Sequence, residues 1–178
     1  MKRLKWICVL VFFLFGHLCI AQNDLTDHSQ IELHDLTVIT DLDTAREQAR
    51  QKDKPLLILF AGYACLADTD EPWLILIEDN VRKMILEHFI LVALYVDDKR
   101  ELPVEQQYEV DNYGQTITTI GRKNLKVQQD HFNSNAQPLY ALVYHTMKLL
   151  TEPKLRTTSK EIEEFMVFLA KGLENYRR

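Results

Sequence analysis

Continuous apolar runs alternate along the chain with stretches in which apolar residues recur every three or four positions. Residues 56–60 (LLILF), 90–96 (ILVALYV) and 139–144 (LYALVY) are apolar throughout. Successive side chains of a strand point to opposite faces, so runs of this kind predict strands buried on both sides. Between them the period changes. Asp41 or Asp43 is placed to cap a helix through Lys52, with Leu42, Ala45 and Ala49 as a narrow apolar side, and Lys54–Pro55 ends it. In residues 66–89, Trp73, Leu74, Ile77, Val81, Met84, Ile85 and His88 recur at helical spacing, with a break expected at Asn80. Near the end, Ile162, Phe165, Met166, Leu169 and Leu173 form one face of a helix that Ser159 is placed to cap.

The weaker signals fill the gaps. Residues 31–40 alternate in part (Ile31, Leu33, Leu36, Val38) and predict one edge strand. Residues 99–126 are polar, with a short helix expected at 104–108 and a β excursion at 116–120; 123–133 predicts a further helix, and 148–151 a strand pairing back on 139–144. The order β-α-β-α-β, an insertion, then β-β-α predicts an α/β fold, a mixed central sheet with helices on both faces. It also divides the chain into 1–21, a leader with a possible edge strand at 22–40, and one domain over 41–178.

Composition sharpens this in one place, the amino terminus. Lys2, Arg3 and Lys5 precede an apolar stretch at 6–15, and Cys19-Ile20-Ala21 suits cleavage before Gln22. Residues 1–21 therefore predict a cleaved signal peptide and a periplasmic or secreted protein. The alternative is an uncleaved anchor, for which the apolar stretch is short. The whole chain carries 21 basic and 26 acidic residues, a net charge of −5; without Lys2, Arg3 and Lys5, 18 face 26, a net charge of −8. That balance argues against nucleic acid and against an anionic membrane surface as partners.

Cleavage would also remove Cys8 and Cys19 and leave Cys65 as the mature protein's one thiol. Such a thiol in an oxidising compartment is either inert or open to another molecule. No metal or other cofactor is expected, because the histidines show no ligand spacing and Cys65 is isolated. Ser-His-Asp, P-loop and dinucleotide-binding signatures do not occur.

Several stretches together bear a resemblance. Lys54-Pro55 with its strand, Phe60-Ala61-Gly62-Tyr63-Ala64-Cys65, Leu94-Tyr95-Val96-Asp97-Asp98, Asn135-Ala136-Gln137-Pro138-Leu139-Tyr140 and 168–176 (FLAKGLENY) run in the order found in thioredoxin-like proteins. The chain is most similar there to the C-terminal domain of DsbD-type thiol:disulfide interchange proteins. The resemblance implies a thioredoxin fold, thiol–disulfide exchange and redox homeostasis as the activity, Cys65 as the nucleophile, and Pro138 as a cis-proline facing it. Tyr63, Ala64, Asp68, Gln137 and Pro138 would then line the substrate or partner groove.

Two positions depart from the pattern. Asp68 stands where the second cysteine of C-x-x-C is expected, and Leu59 where many thioredoxins hold a buried acid. Without a resolving thiol, a mixed disulfide cannot be released internally. A helix amino terminus favours thiolate by about 0.3–1 kcal/mol. Two like charges about 4 Å apart cost about 4 kcal/mol at an effective dielectric of about 20. A quarter of that from Asp68, Asp70 or Glu71 would offset the dipole. Asp68-Thr69-Asp70-Glu71 also has capping-box spacing, which would start the helix beyond Cys65. Three roles follow as expectations: monothiol exchange with a protein or small-molecule thiol or disulfide, a redox-inactive module holding a protein or peptide, and a disulfide-linked dimer in place of a monomer.

Overall fold

The computed structural model describes residues 30–63, 71–110, 116–155 and 161–178. Residues 1–29, Ala64, Cys65, Asp68 and the Ser159 cap lie outside the described residues. The elements are β1 (Gln30–Leu33), β2 (Leu36–Ile39), α1 (Leu42–Lys52), β3 (Leu56–Ala61), α2 (Glu71–Ile77), α3 (Asp79–His88) and β4 (Ile90–Tyr95). There follow β5 (Tyr108–Glu109), β6 (Thr116–Ile117), α4 (Ile120–Phe132), β7 (Leu139–Val143), β8 (Lys154–Leu155) and α5 (Ile162–Tyr176).

Among the described residues six strands form one mixed sheet in the order β1-β2-β4-β3-β7-β8. β2, β4 and β3 are parallel; β1, β7 and β8 run antiparallel to their neighbours. The continuous apolar runs explain the centre. All six residues of β3 are buried, and alternate ones serve different layers. Leu57, Leu59 and Ala61 pack with Trp73, Ile85 and Phe165 on one face. Leu56, Ile58 and Phe60 pack with Ala45, Ala49 and Val92 on the other. Burying each large side chain fully stabilises the fold by about 1.5–3 kcal/mol, so these strands dominate the core.

Local chemistry sets the ends of the helices. Asp41, rather than Asp43, caps α1, accepting the Thr44 N–H at 2.8 Å. Asp53 closes it in the left-handed region at φ 48°, a conformation aspartate tolerates better than most residues. The 66–89 stretch breaks at Glu78, not Asn80, because Glu78 takes the extended backbone that precedes α3.

Four expectations need correction. Residues 31–40 form a hairpin, not one edge strand: Leu33 pairs with Leu36, and His34 turns the chain at φ 56°. The spacing of three between Leu33 and Leu36, in a series otherwise spaced by two, marks that turn. β2 is consequently internal, between β1 and β4. α4 begins at Ile120 rather than 123, because Thr119 Oγ1 accepts the Arg122 N–H at 3.3 Å. The short helix expected at 104–108 is a 3-10 turn at Val104–Gln106, after which Tyr108–Glu109 pairs with Thr116–Ile117. The return strand at 148–151 reduces to a bridge between Val143 and Leu149, and the sheet's edge falls to β8.

Candidate functional site

The sheet brings three chain segments to one rim: the carboxyl ends of β3 and β4 and the amino end of β7. β3 and β4 stay paired to their last residues, Ala61 opposite Tyr95, and the Val96 N–H donates to the Ala61 carbonyl at 2.9 Å. Leu139 pairs with Phe60, which puts Pro138 level with Ala61.

Tyr63 leaves β3 under tight control. Its N–H donates to Asp97 Oδ1 at 2.8 Å. A side chain on the preceding Gly62 would meet Asp97 Oδ2 at 3.2 Å, so glycine is what lets this carboxylate come in. The Tyr63 ring lies on Tyr95 with centroids 4.0 Å apart and planes 6° off parallel. Its hydroxyl points at Asp98 Oδ2 from 3.5 Å, a long contact; the stack and the backbone hydrogen bond therefore do most of the anchoring. Tyr63 is still 46% exposed. It both covers the end of the sheet and offers an aromatic surface to solvent.

Beside it lies an ion pair in which only the acid is buried. Asp98 is 4% exposed, and Arg100 Nη2 donates to its Oδ2 at 2.6 Å and Arg100 Nε to Oδ1 at 3.1 Å. Burial pushes the Asp98 carboxyl up, but the hydrogen bonds and charge of Arg100 outweigh it and hold the group below its ordinary range. Burial, then the Asp98 charge, pushes the Tyr63 phenol up. Burial and the neighbouring Tyr63 push Tyr95 up to about 12. Both rings are thus neutral near physiological pH. Sequence spacing suggests that Asp98 caps a turn, and it does, accepting the Arg100 N–H at 3.0 Å. Its burial is not visible in that spacing.

The opposite wall is the β7 entry. The Gln137–Pro138 peptide is cis, and both residues are half-buried. Gln128, fully buried on α4, clamps this turn with both ends of its amide: Nε2 donates to the Ala136 carbonyl at 2.7 Å, and Oε1 accepts from Gln137 Nε2 at 2.8 Å. One turn away Asn124 Nδ2 donates to the Tyr95 carbonyl at 2.9 Å, and Gly121 packs so closely that a Cβ would lie 2.5 Å from the Asp98 nitrogen. Gly121, Asn124 and Gln128 thus form one helix face that holds both walls. On polarity alone this stripe reads as solvent-facing, which is why sequence reasoning passes over it; the spacing of three and four was the available signal.

Parallel β2, β4 and β3, with antiparallel β7 and β8 beyond β3, set the architecture. The fold is thioredoxin-like. Of the residues predicted for the site, Tyr63, Gln137 and Pro138 lie at the same end of the sheet, on the β4 and β7 sides of β3, whereas Ala64, Cys65 and Asp68 lie outside the described residues. Leu59 is fully buried opposite Ala93 and Tyr140, so its place in the core is apolar. The Tyr140 hydroxyl donates to the Pro72 carbonyl at 2.7 Å and ties α2 to the sheet's centre. Among the described residues no group of three or more His, Cys, Asp or Glu is arranged to hold a metal ion.

No family model matches the chain, and the search of curated proteins gives no match. A solved structure, the disulphide isomerase from Xylella fastidiosa Temecula1, is similar at 19% identity, covering 73% of this chain and 86% of that one, with a TM-score of 0.44.

Proposed function

We propose that this is an exported thioredoxin-like protein that engages a thiol- or disulfide-bearing protein or small molecule at the Tyr63–Gln137–Pro138 rim and exchanges through one cysteine, Cys65. The observation that carries the reading is the rim itself. An exposed aromatic face, two residues along the chain from Cys65, is held by the Tyr95 ring and Asp97, and the Gln137–Pro138 turn at the same end of the sheet is held by buried Gln128. In the exchange, the Cys65 thiolate attacks one sulfur of a partner disulfide. That S–S bond breaks, the other partner sulfur leaves as thiolate, and a mixed disulfide remains. With Asp68 in the resolving position, release needs a second, external thiol such as glutathione, which attacks the partner's sulfur in the mixed disulfide and returns Cys65 to thiolate.

The second reading is a binding module without redox turnover. Two observations favour it. Leu59 sits in an apolar core, where no acid is present to take up protons. Asp97, bonded to the Tyr63 N–H, adds negative charge at the same end of the sheet, which works against a thiolate nearby.

The test uses the mature chain with oxidised glutathione and a cysteine peptide carrying a thionitrobenzoate leaving group. Exchange predicts release of thionitrobenzoate faster than from free glutathione thiol, lost in Cys65→Ser and slowed in Tyr63→Ala. A rate no faster than free thiol, with peptide binding kept in Cys65→Ser, would refute exchange in favour of the binding module.

A further inference from the structure

We propose that the open groove between β8 and α5 docks an extended, cationic peptide segment of a partner protein. The groove encloses about 610 Å³ and is floored by residues 151–154 and walled by α5. Three features converge there. β8 is the last strand of the sheet, and among the described residues its outer side has no partner strand. Unpaired N–H and C=O groups on such an edge are satisfied when an extended chain adds alongside.

The walls are apolar where an added strand would set down its side chains. Val167, 69% exposed, lines the groove together with Pro153 and with Phe168, which packs against the core. Alternate side chains of an added strand would fall on that ridge.

Charge chooses the occupant. Lys154 is neutralised by Glu164 at 3.2 Å, and Lys171 by Glu174 at 3.1 Å. Glu152 on the floor and Glu163 on the wall have no cation within ion-pair reach among the described residues. A second copy of this chain would bring the same two acids against themselves, in a protein whose net charge is already −5. A segment with apolar residues flanked by lysine or arginine meets both features and steers in along the field.

The experiment is fluorescence anisotropy on the chain carrying Cys65→Ser, so that failure of disulfide exchange has no bearing on it. The probe is a fluorescein-labelled heptapeptide with a valine–threonine–valine centre and two lysines on each side; its counterpart carries glutamates. The lysine probe is expected to bind about ten-fold more tightly or better, and less so as salt rises. The pair Glu152→Lys and Glu163→Lys should reverse that order. Val167→Ser, at an exposed position that leaves the core untouched, should weaken the lysine probe about ten-fold with an unchanged melting curve. Equal binding of the two probes, no reversal in the charge variant, or a sedimenting dimer that Val167→Ser dissociates would each overturn the proposal.

Discussion

Replacing Gln128 by glutamate changes one atom pair in the rim's support and leaves its shape alone. In the native side chain Nε2 donates to the Ala136 carbonyl and Oε1 accepts from Gln137. An ionised glutamate is acceptor-only. It would keep the Gln137 bond and set a charged oxygen against the Ala136 carbonyl, at a position with no solvent exposure. Only the protonated acid restores both hydrogen bonds. The folded-state pKa of this glutamate must therefore lie above its unfolded value of about 4.3, and a rise of about 3 is ordinary for such burial. At about 1.36 kcal/mol per unit, Gln128→Glu should cost about 3–4 kcal/mol above about pH 7. The sign follows from linkage. The unfolded chain loses its proton first as pH rises, so the deficit is absent below about pH 4, grows as pH climbs, and levels off beyond the raised pKa. At about 2–4 °C per kcal/mol, Tm should fall by roughly 6–16 °C at neutral pH and recover towards wild type near pH 4. The assay is urea and thermal unfolding of both proteins across that range, with Gln128→Ala as a variant whose deficit is independent of pH. Binding of the cysteine peptide should weaken in parallel, because Gln137 loses its fixed support. A deficit for Gln128→Glu of the same size at both ends of the range, or none at neutral pH, would refute the clamp.

Three further outcomes follow from single contacts. Burial pushes the Tyr140 phenol far up, so it stays a donor to the Pro72 carbonyl; Tyr140→Phe should cost about 1–2 kcal/mol in urea unfolding. Thr151 Oγ1 is the one buried side-chain polar atom among the described residues without a hydrogen-bond partner, so Thr151→Val should stabilise the protein by about 1 kcal/mol and raise Tm. Asp98→Asn should cost about 1–2 kcal/mol at neutral pH, discounted because Arg100 is half exposed to solvent. The folded-state carboxyl is held below its ordinary range, so the wild-type advantage is fully present above that range and is lost as pH falls below it, through the lowered folded-state value. Unfolding of the two proteins compared at neutral and acid pH checks the sign.

Much of the fold is legible in the sequence for a simple reason. Strands buried on both faces need apolar residues at every position, so 56–60, 90–96 and 139–144 name the centre of the sheet without reference to anything else. The amphipathic helices and the cap at Asp41 are equally local. The site is legible only in part. Tyr63, Gln137 and Pro138 can be picked out from the resemblance, but what holds them cannot. Asp97 and Asp98 read as the end of a strand, and Gly121, Asn124 and Gln128 read as a polar helix face.

By itself, then, the chain determined its class and the order of its central elements, because burial on both faces and helical period are written in neighbouring residues. Only the tertiary structure decided which polar groups face inward. A carboxylate 34 residues away along the chain closes on the Tyr63 N–H, and a glutamine from α4 clamps the cis-proline turn. Burying a polar group is tolerable only where a partner awaits it, and that partner is brought up by the sheet and its crossing helix, at a distance no local pattern records.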